Sequence, residues 1–393
     1  MVKIADSIYW VGVNDHVLDL FEAMWPIPEG ISYNSYLITD DKVALIDAVK
    51  ENFLKEYLEK IERYTDPRDI DYLIVNHMEP DHSGSIPLIR RLNPNIEIVG
   101  TKQTKKLLND FFGITEGVRF VDEGDSLALG ERTLTFFKTP YIHWPETMMT
   151  YDATDHILFS GDAFGTFGTI EGQIFDDRID VKYYEDEGVR YFSNVVGLYS
   201  KPVQAAIKKL ESVKIDTVAS THGPVWRTHP QTIIELYDKL SKMEGEKGVT
   251  IIYGSMYGYT RKMAEAIAEG VHAAGCKNLT TLDASRVHLS SLLSEAWRRE
   301  GIILGSPTYE GEVFPPLTEF TNIVKKKQLK NRVAGVFGSF GWTGGALPQL
   351  EALIESLDWD MVKPVVEFNG VPRENQLENG KQLGKTIAEK VLE

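Results

Sequence analysis

The chain has 393 residues, 42% hydrophobic and 25% charged, with 42 basic against 58 acidic side chains and a formal charge of −16. That length suggests two or three domains, and that composition excludes a largely disordered chain. The acidic balance argues against nucleic acid as a partner, and a single cysteine, Cys276, excludes an intrachain disulfide, a thiolate iron–sulfur cluster and a Cys-based zinc ribbon.

The first residues, Met1-Val2-Lys3-Ile4-Ala5-Asp6, place an acid where a signal peptide needs its apolar stretch. No apolar run approaches the roughly 18 residues of a membrane span, so a reducing cytoplasm and no membrane contact are expected. Strands are predicted in pairs at residues 8–13, 34–38 and 43–47. A buried strand at 72–75 precedes a helix at 83–91, which Ser83 is placed to cap. Residues 133–138, 148–151 and 157–160 read as a meander, and 217–219 as a further apolar strand. Mixed strands with helices outside predict a layered α/β/β/α sandwich. A polar break at 241–248 then divides the chain, giving expected domains 1–246 and 247–393. Beyond it, apolar runs at 249–253, 279–283, 301–305, 333–338 and 361–368 alternate with helices at 260–274, 289–299, 314–326, 346–356 and 374–392. Five such units imply a doubly wound parallel sheet.

Behind the strand at 72–75 stands Asn76-His77-Met78-Glu79-Pro80-Asp81-His82-Ser83-Gly84. Alternation with Met78 and Pro80 lets His77, Glu79 and Asp81 project together, and His82 adds another donor. Ionisable groups packed behind a buried strand are costly unless their charge is compensated, as a metal pair would do. His143, Asp162 and His222 also follow strands, and strand ends at one sheet edge converge. His16, His156, His229, His272 and His288 lack such a setting and read as ordinary surface or loop residues. The spacing resembles the His-x-His-x-Asp-His motif of metallo-β-lactamase hydrolases, with Glu79 at a histidine position. A carboxylate there adds charge and a hard oxygen donor, favouring iron over zinc. The expectation is a non-haem di-iron site. The alternative is a zinc-dependent hydrolase fused to a flavodoxin-like module.

The strand at 249–253 runs into Gly254-Ser255-Met256-Tyr257-Gly258-Tyr259-Thr260 and a helix, so amides and hydroxyls there form an anion site. This is neither a Walker A loop nor Gly-x-Gly-x-x-Gly. Gly380–Thr386 imitates a Walker loop, is one residue short and lies within a predicted helix. Two more loops follow strand ends: Gly305-Ser306-Pro307-Thr308-Tyr309-Glu310-Gly311, and Gly338-Ser339-Phe340-Gly341-Trp342-Thr343-Gly344-Gly345. Three such loops at one sheet edge give the flavodoxin pattern, with Tyr309 and Trp342 placed to flank the ring of FMN.

Together the two halves resemble the flavodiiron proteins over nearly the whole chain, through residues 29–37 and 76–84, His143-Trp144-Pro145-Glu146-Thr147-Met148, His222-Gly223-Pro224-Val225-Trp226 and Ser255-Met256-Tyr257. The resemblance implies a metallo-β-lactamase-like domain followed by a flavodoxin-like domain. It also implies reduction of dioxygen to water, of nitric oxide to nitrous oxide, or of both. On the family pattern the iron ligands are His77, Glu79, Asp81, His143, Asp162 as bridge and His222. The residue matching His82 ligates in some members and turns aside in others. A family tyrosine matches Tyr191, a candidate proton donor or a packed aromatic. Rubredoxin, a flavin reductase or reduced deazaflavin is the implied electron donor. A head-to-tail homodimer or dimer of dimers is the implied assembly, in a two-domain class without an appended rubredoxin.

Overall fold

The computed structural model describes residues 2–393 and divides the chain into two compact units with the boundary between Asp238 and Lys239. The segment around the polar break belongs with the second unit: Arg332 donates to Met243 O at 2.7 Å, and Trp297 Nε1 donates to Leu240 O at 3.0 Å.

The first unit is built on two sheets. Strands of one run in the order Val2–Ala5, Ile8–Trp10, Tyr36–Ile38, Ala44–Ile46, Tyr72–Ile74, Glu97–Gly100 and Val118–Phe120. The pairings from Ala44–Ile46 onward are parallel, so those strands end along one edge. The other sheet runs Ser126–Ala128, Thr133–Lys138, Met148–Asp152, Ile157–Phe159, Thr217–Ala219 and Val225–Trp226. Within it Ile157–Phe159 and Thr217–Ala219 are parallel neighbours, with Phe159 opposite Ala219. The loops carrying Asp162 and His222 therefore leave the sheet side by side. Central strands such as Tyr36–Ile38 and Ile157–Phe159 are buried throughout, which is why they read as apolar runs rather than alternating patterns.

Two departures from the sequence reading are local. The strand expected over 8–13 stops at Trp10, because Gly12 passes so close to Tyr33 O that a Cβ there would lie 2.4 Å away. The chain then pairs Val13–Asp15 with Ile31–Tyr33 as a separate ribbon. The helix expected over 83–91 is two short helices, Pro80–Ser83 and Ile86–Leu92. Ser83 does not cap the second. Its Oγ donates back to Met78 O and Glu79 O, closing the turn that carries the candidate ligands.

In the second unit the strands run in the order Leu279–Asp283, Glu246–Tyr253, Arg299–Tyr309 and Val333–Phe340, all parallel. The fifth strand is split into Asp360–Met361 and Val366–Asn369, both beside Val333–Phe340. Pro364 lies in the gap and has no N–H to offer a ladder. This is the doubly wound order of a flavodoxin-like domain. Helices Tyr259–Ala273 and Glu374–Leu392 pack against each other. A Cβ on Gly270 would lie 1.9 Å from Lys381 O, and one on Gly384 2.0 Å from Ile267 O. The glycines that imitate a Walker loop thus permit close helix contact. Among the described residues no helix is long and apolar enough to cross a membrane.

Candidate functional site

All seven residues singled out as metal ligands are buried in the first unit, at most 9% exposed. His77 and Glu79 lie on the turn after Tyr72–Ile74, and Asp81 and His82 on the helix Pro80–Ser83. His143 lies between Thr133–Lys138 and Met148–Asp152, Asp162 after Ile157–Phe159, and His222 after Thr217–Ala219. The fold brings them into two groups: His77, Glu79, His143 and Asp162 form one, and Asp81, His82 and His222 the other.

In the first group His143 Nε2 lies 2.9 Å from Glu79 Oε2 and 3.2 Å from Asp162 Oδ2, and His77 Nε2 lies 3.3 and 3.5 Å from the same two oxygens. In the second, His82 Nε2 lies 3.0 Å from His222 Nε2, with Asp81 Oδ2 3.3 Å from the former and 3.4 Å from the latter. Asp162 joins the groups. Its Oδ2 faces the first, and its Oδ1 lies 3.2 Å from His82 Nε2. Thr221 Oγ1 donates to Oδ1 at 2.6 Å, and Tyr191 Oη to Oδ2 at 3.0 Å.

The outer nitrogens are held from behind. His77 Nδ1 donates to Glu146 Oε1 at 2.8 Å, and His222 Nδ1 donates to Ser32 O at 2.7 Å. Each fixes the tautomer that leaves Nε2 free to ligate. Asn34 Nδ2 donates to Ser220 O and Gly223 O, and Ser32 Oγ accepts from Gly223 N. The residues near 29–37 therefore latch the His222 loop in place. Gly223 stands at φ +77°, and a Cβ there would meet Thr166 Oγ1 at 2.1 Å.

Electrostatics fit a cation site. Burial disfavours a charged His82, yet Asp81 and Asp162 outweigh it and raise its pKa to about 9. For His143 burial is likewise outweighed, by Asp162 and Glu79, again to about 9. Burial would raise the carboxyl of Asp162, but His77, His82 and His143 hold it well below the carboxylate range. Both carboxylate oxygens of Asp81 and Nδ1 of His82 are buried and make no hydrogen bond, and Asp81 Oδ2 has only its close approach to the Nε2 atoms of His82 and His222. Paired Nε2 atoms and orphaned Asp81 oxygens suit metal ions, and the mixed nitrogen and oxygen donors suit iron. Tyr191 reaches the cluster through Asp162, and burial lifts its phenol well above its ordinary value.

The second unit holds a cavity of about 570 Å³ at the C-terminal ends of its strands. Met256, Tyr257, Tyr259, Thr260, Pro307, Thr308, Tyr309, Glu310, Ser339, Phe340, Gly341 and Trp342 line it, as do Gly311, Thr343 and Gly370. Of these, Gly311 and Thr343 lie in the loops read from the sequence, and Gly370 alone escaped that reading. Gly370 has φ of +64°, and a glycine just past the strand Val366–Asn369 was the available signal. Four other expected residues lie off the wall. Ser255 Oγ accepts from Gly258 N at 3.1 Å, so both residues shape the turn. Ser306 Oγ accepts from Phe314 N at 2.9 Å. Gly344 packs against Glu367. Thr260 Oγ1 lies 3.0 Å from Ser339 Oγ at the amide end of helix Tyr259–Ala273. A Cβ on Gly258 or Gly341 would meet nothing within 4 Å. Hydroxyls and free amides at one end and aromatic rings at the other fit FMN.

Comparison with known proteins agrees with both halves. Residues 31–223 match the ODP family beta lactamase, and residues 251–382 match flavodoxin. A nitric oxide reductase of Moorella thermoacetica is 33% identical over 100% of this chain and 99% of its own length. Rubredoxin oxygen:oxidoreductase of Desulfovibrio gigas superposes with a TM-score of 0.94 at 30% identity, covering 100% of this chain and 98% of that one. The flavodiiron protein of Giardia intestinalis gives 0.94 at 30% identity, over 100% and 96%. These relatives favour an oxidoreductase over the zinc hydrolase alternative. With a paired donor cluster in one unit, a flavin-sized cavity in the other and relatives matched end to end, the chain belongs to the flavodiiron protein family.

Proposed function

We propose that this protein reduces nitric oxide, dioxygen or both at two iron ions, with electrons supplied through FMN. The ions would be held by His77, Glu79 and His143 on one side and by Asp81, His82 and His222 on the other, with one oxygen of Asp162 turned toward each group. The observation that carries this reading is Asp162, whose two oxygens face different donor groups. When bound, iron supplies open positions for a diatomic ligand and one electron per ion, and FMN supplies two electrons more.

The chain's own residues orient and enclose. Thr221 and Tyr191 each fix one oxygen of Asp162, so the carboxylate keeps one face toward each group. Glu146 and Ser32 O hold His77 and His222 with Nε2 forward. The rings of Phe21 and Tyr33 stand 5.6 and 6.0 Å from that of His222 and keep bulk water from it. Dioxygen takes four electrons and four protons to two waters. Two nitric oxide molecules take two electrons and two protons to nitrous oxide and water. Tyr191 acts on the cluster through Asp162.

A rubredoxin, a flavin reductase or reduced deazaflavin delivers the electrons from the cytoplasm. Trp342 and Tyr257 stand 92% and 83% exposed at the rim of the cavity. Such a rim supports a head-to-tail homodimer, in which the FMN of one chain serves the irons of the other. Metal and flavin analysis tests the reading. About two irons and one FMN per chain, with nitric oxide or dioxygen consumed by the reduced protein, is the expected result. Zinc in place of iron, with hydrolysis and no reduction, would overturn it.

A further inference from the structure

The histidines of the two groups are supported unequally. His77 Nδ1 meets a carboxylate, Glu146 Oε1, at 2.8 Å. His222 Nδ1 meets only the neutral carbonyl of Ser32, at 2.7 Å. Nδ1 of His82 is buried without a partner. Glu146 is fully buried, and its Oε1 also accepts from Met78 N at 2.8 Å. One oxygen thus takes two N–H groups, while Oε2 is buried and unpartnered.

A buried carboxylate with one bare oxygen is costly unless positive charge stands nearby. His77 is the route to that charge, because its Nε2 opens into the cluster beside Glu79 Oε2 and Asp162 Oδ2. A carboxylate drawing on the Nδ1 proton fixes the ring and makes Nε2 more basic. A carbonyl does so less, and His82 Nδ1 makes no hydrogen bond, so the buried Asp47 carboxylate acts on that ring only through space.

We infer that Glu146 is a positioning residue for one metal position only: through the His77 ring it strengthens the position formed with Glu79 and His143 over that formed by Asp81, His82 and His222. The inference rests on the two-iron reading above. It makes the two positions unequal by design of their surroundings. Each position has one carboxylate of its own, Glu79 or Asp81, and one oxygen of Asp162, but only the His77 position adds a carboxylate hydrogen-bonded behind the ring. It therefore fills first and holds the more oxidised ion.

The test uses Co(II) as the probe, added stepwise to the metal-free full-length protein without oxygen and followed by visible absorption. Wild type should show two binding events. Glu146→Gln keeps an acceptor for Nδ1 and removes the charge. It should weaken one event about ten- to hundredfold and leave the other unmoved. Glu146→Ala, which removes charge and acceptor together, should weaken the same event at least as much. In the iron-loaded Glu146→Gln protein one ferric ion should be reduced at a higher potential than in wild type, the other at the same potential. A measurement on wild type guards against a variant that does not fold. In the Co(II) protein the His77 Nδ1 proton, seen by paramagnetic NMR, should exchange with solvent more slowly than that of His82. Equal affinities in Glu146→Gln and wild type, equal weakening of both events, or the reverse order of exchange would each overturn the inference. Uptake of fewer than two Co(II) ions by wild type would instead overturn the two-metal reading itself.

Discussion

Tyr191 Oη and Asp162 Oδ2 are joined by a 3.0 Å hydrogen bond, and both residues are fully buried. A residue placed this way orients the Asp162 carboxylate. Tyr191→Phe should keep the ring packed against Phe167, whose centroid is 5.0 Å away. Iron content should stay at wild-type level and turnover should fall less than about tenfold. A general acid contributes about 10²–10⁴-fold, so a loss in that range would make Tyr191 the proton donor instead. Steady-state consumption of nitric oxide and dioxygen, normalised to iron, separates the two roles.

On the proposed two-iron reading, Glu79 sets the metal preference. Its Oε2 is shared by His77 and His143, so Glu79→His replaces a hard anionic donor by a neutral nitrogen in the middle of one group. The variant should lose iron and gain zinc relative to wild type when expressed with both metals present. Equal iron loading in the two proteins, measured by elemental analysis, contradicts the assignment.

The flavin site makes a prediction that distinguishes neighbours. Thr260 lines the cavity and Ser255 does not. Thr260→Glu puts a carboxylate against the phosphate at a helix N-terminus and should weaken FMN at least about a hundredfold while iron stays bound. Ser255→Ala removes the acceptor for Gly258 N and Arg261 N, so it should loosen the turn and weaken FMN about tenfold or less. Fluorescence titration with FMN reads both. Full flavin retention in Thr260→Glu would remove that residue from the phosphate site.

The strand ends, and with them most of the cluster, were legible in the sequence because buried parallel strands leave apolar runs and their loops begin where the runs stop. Helices Ala346–Ser356 and Glu374–Leu392 match their expected bounds, since their apolar spacing is regular. What the sequence hid is pairing across long separations. Ser32 gives no sign that its carbonyl serves His222, nor Glu146 that it serves His77. Ser83 and Ser306 carry hydroxyls where a cap or a ligand contact was expected, and the fold spends both on backbone groups. Backbone demand on a buried hydroxyl is decided by tertiary neighbours, which spacing does not encode.

The helix contact in the second unit is tight enough to test by volume. Gly384→Ala sets a methyl about 2.0 Å from Ile267 O, so the helices must part. Overpacking of this kind costs about 1–3 kcal/mol. Thermal unfolding should show a lower Tm for the flavin-binding unit, with the iron-binding unit unchanged. An unchanged Tm for the flavin-binding unit would mean that the contact relaxes without cost.

The proposed exchange of electrons between copies is tested by mixing two inactive proteins. His143→Ala lacks the iron pair and Thr260→Glu lacks flavin. After unfolding and refolding together, each mixed dimer has one intact flavin facing one intact iron pair, and activity should return. Inactivity in mixed dimers shown to carry both cofactors would refute transfer between chains.

The latch between Ser32 and His222 spans 190 residues of sequence. On the ribosome, residues 29–37 emerge early and wait for a partner that is made only when more than half the chain has been translated. Until then the carbonyl of Ser32 and Nδ2 of Asn34 lack the partners they have in the finished fold. The donor set therefore closes late in synthesis, after the strands beneath it exist. A stalled or truncated chain presents His77, Glu79 and Asp81 without the loop that completes the second group. The second donor group is thus closed by a contact between the two ends of the first unit, and no segment that stops short of His222 can form it.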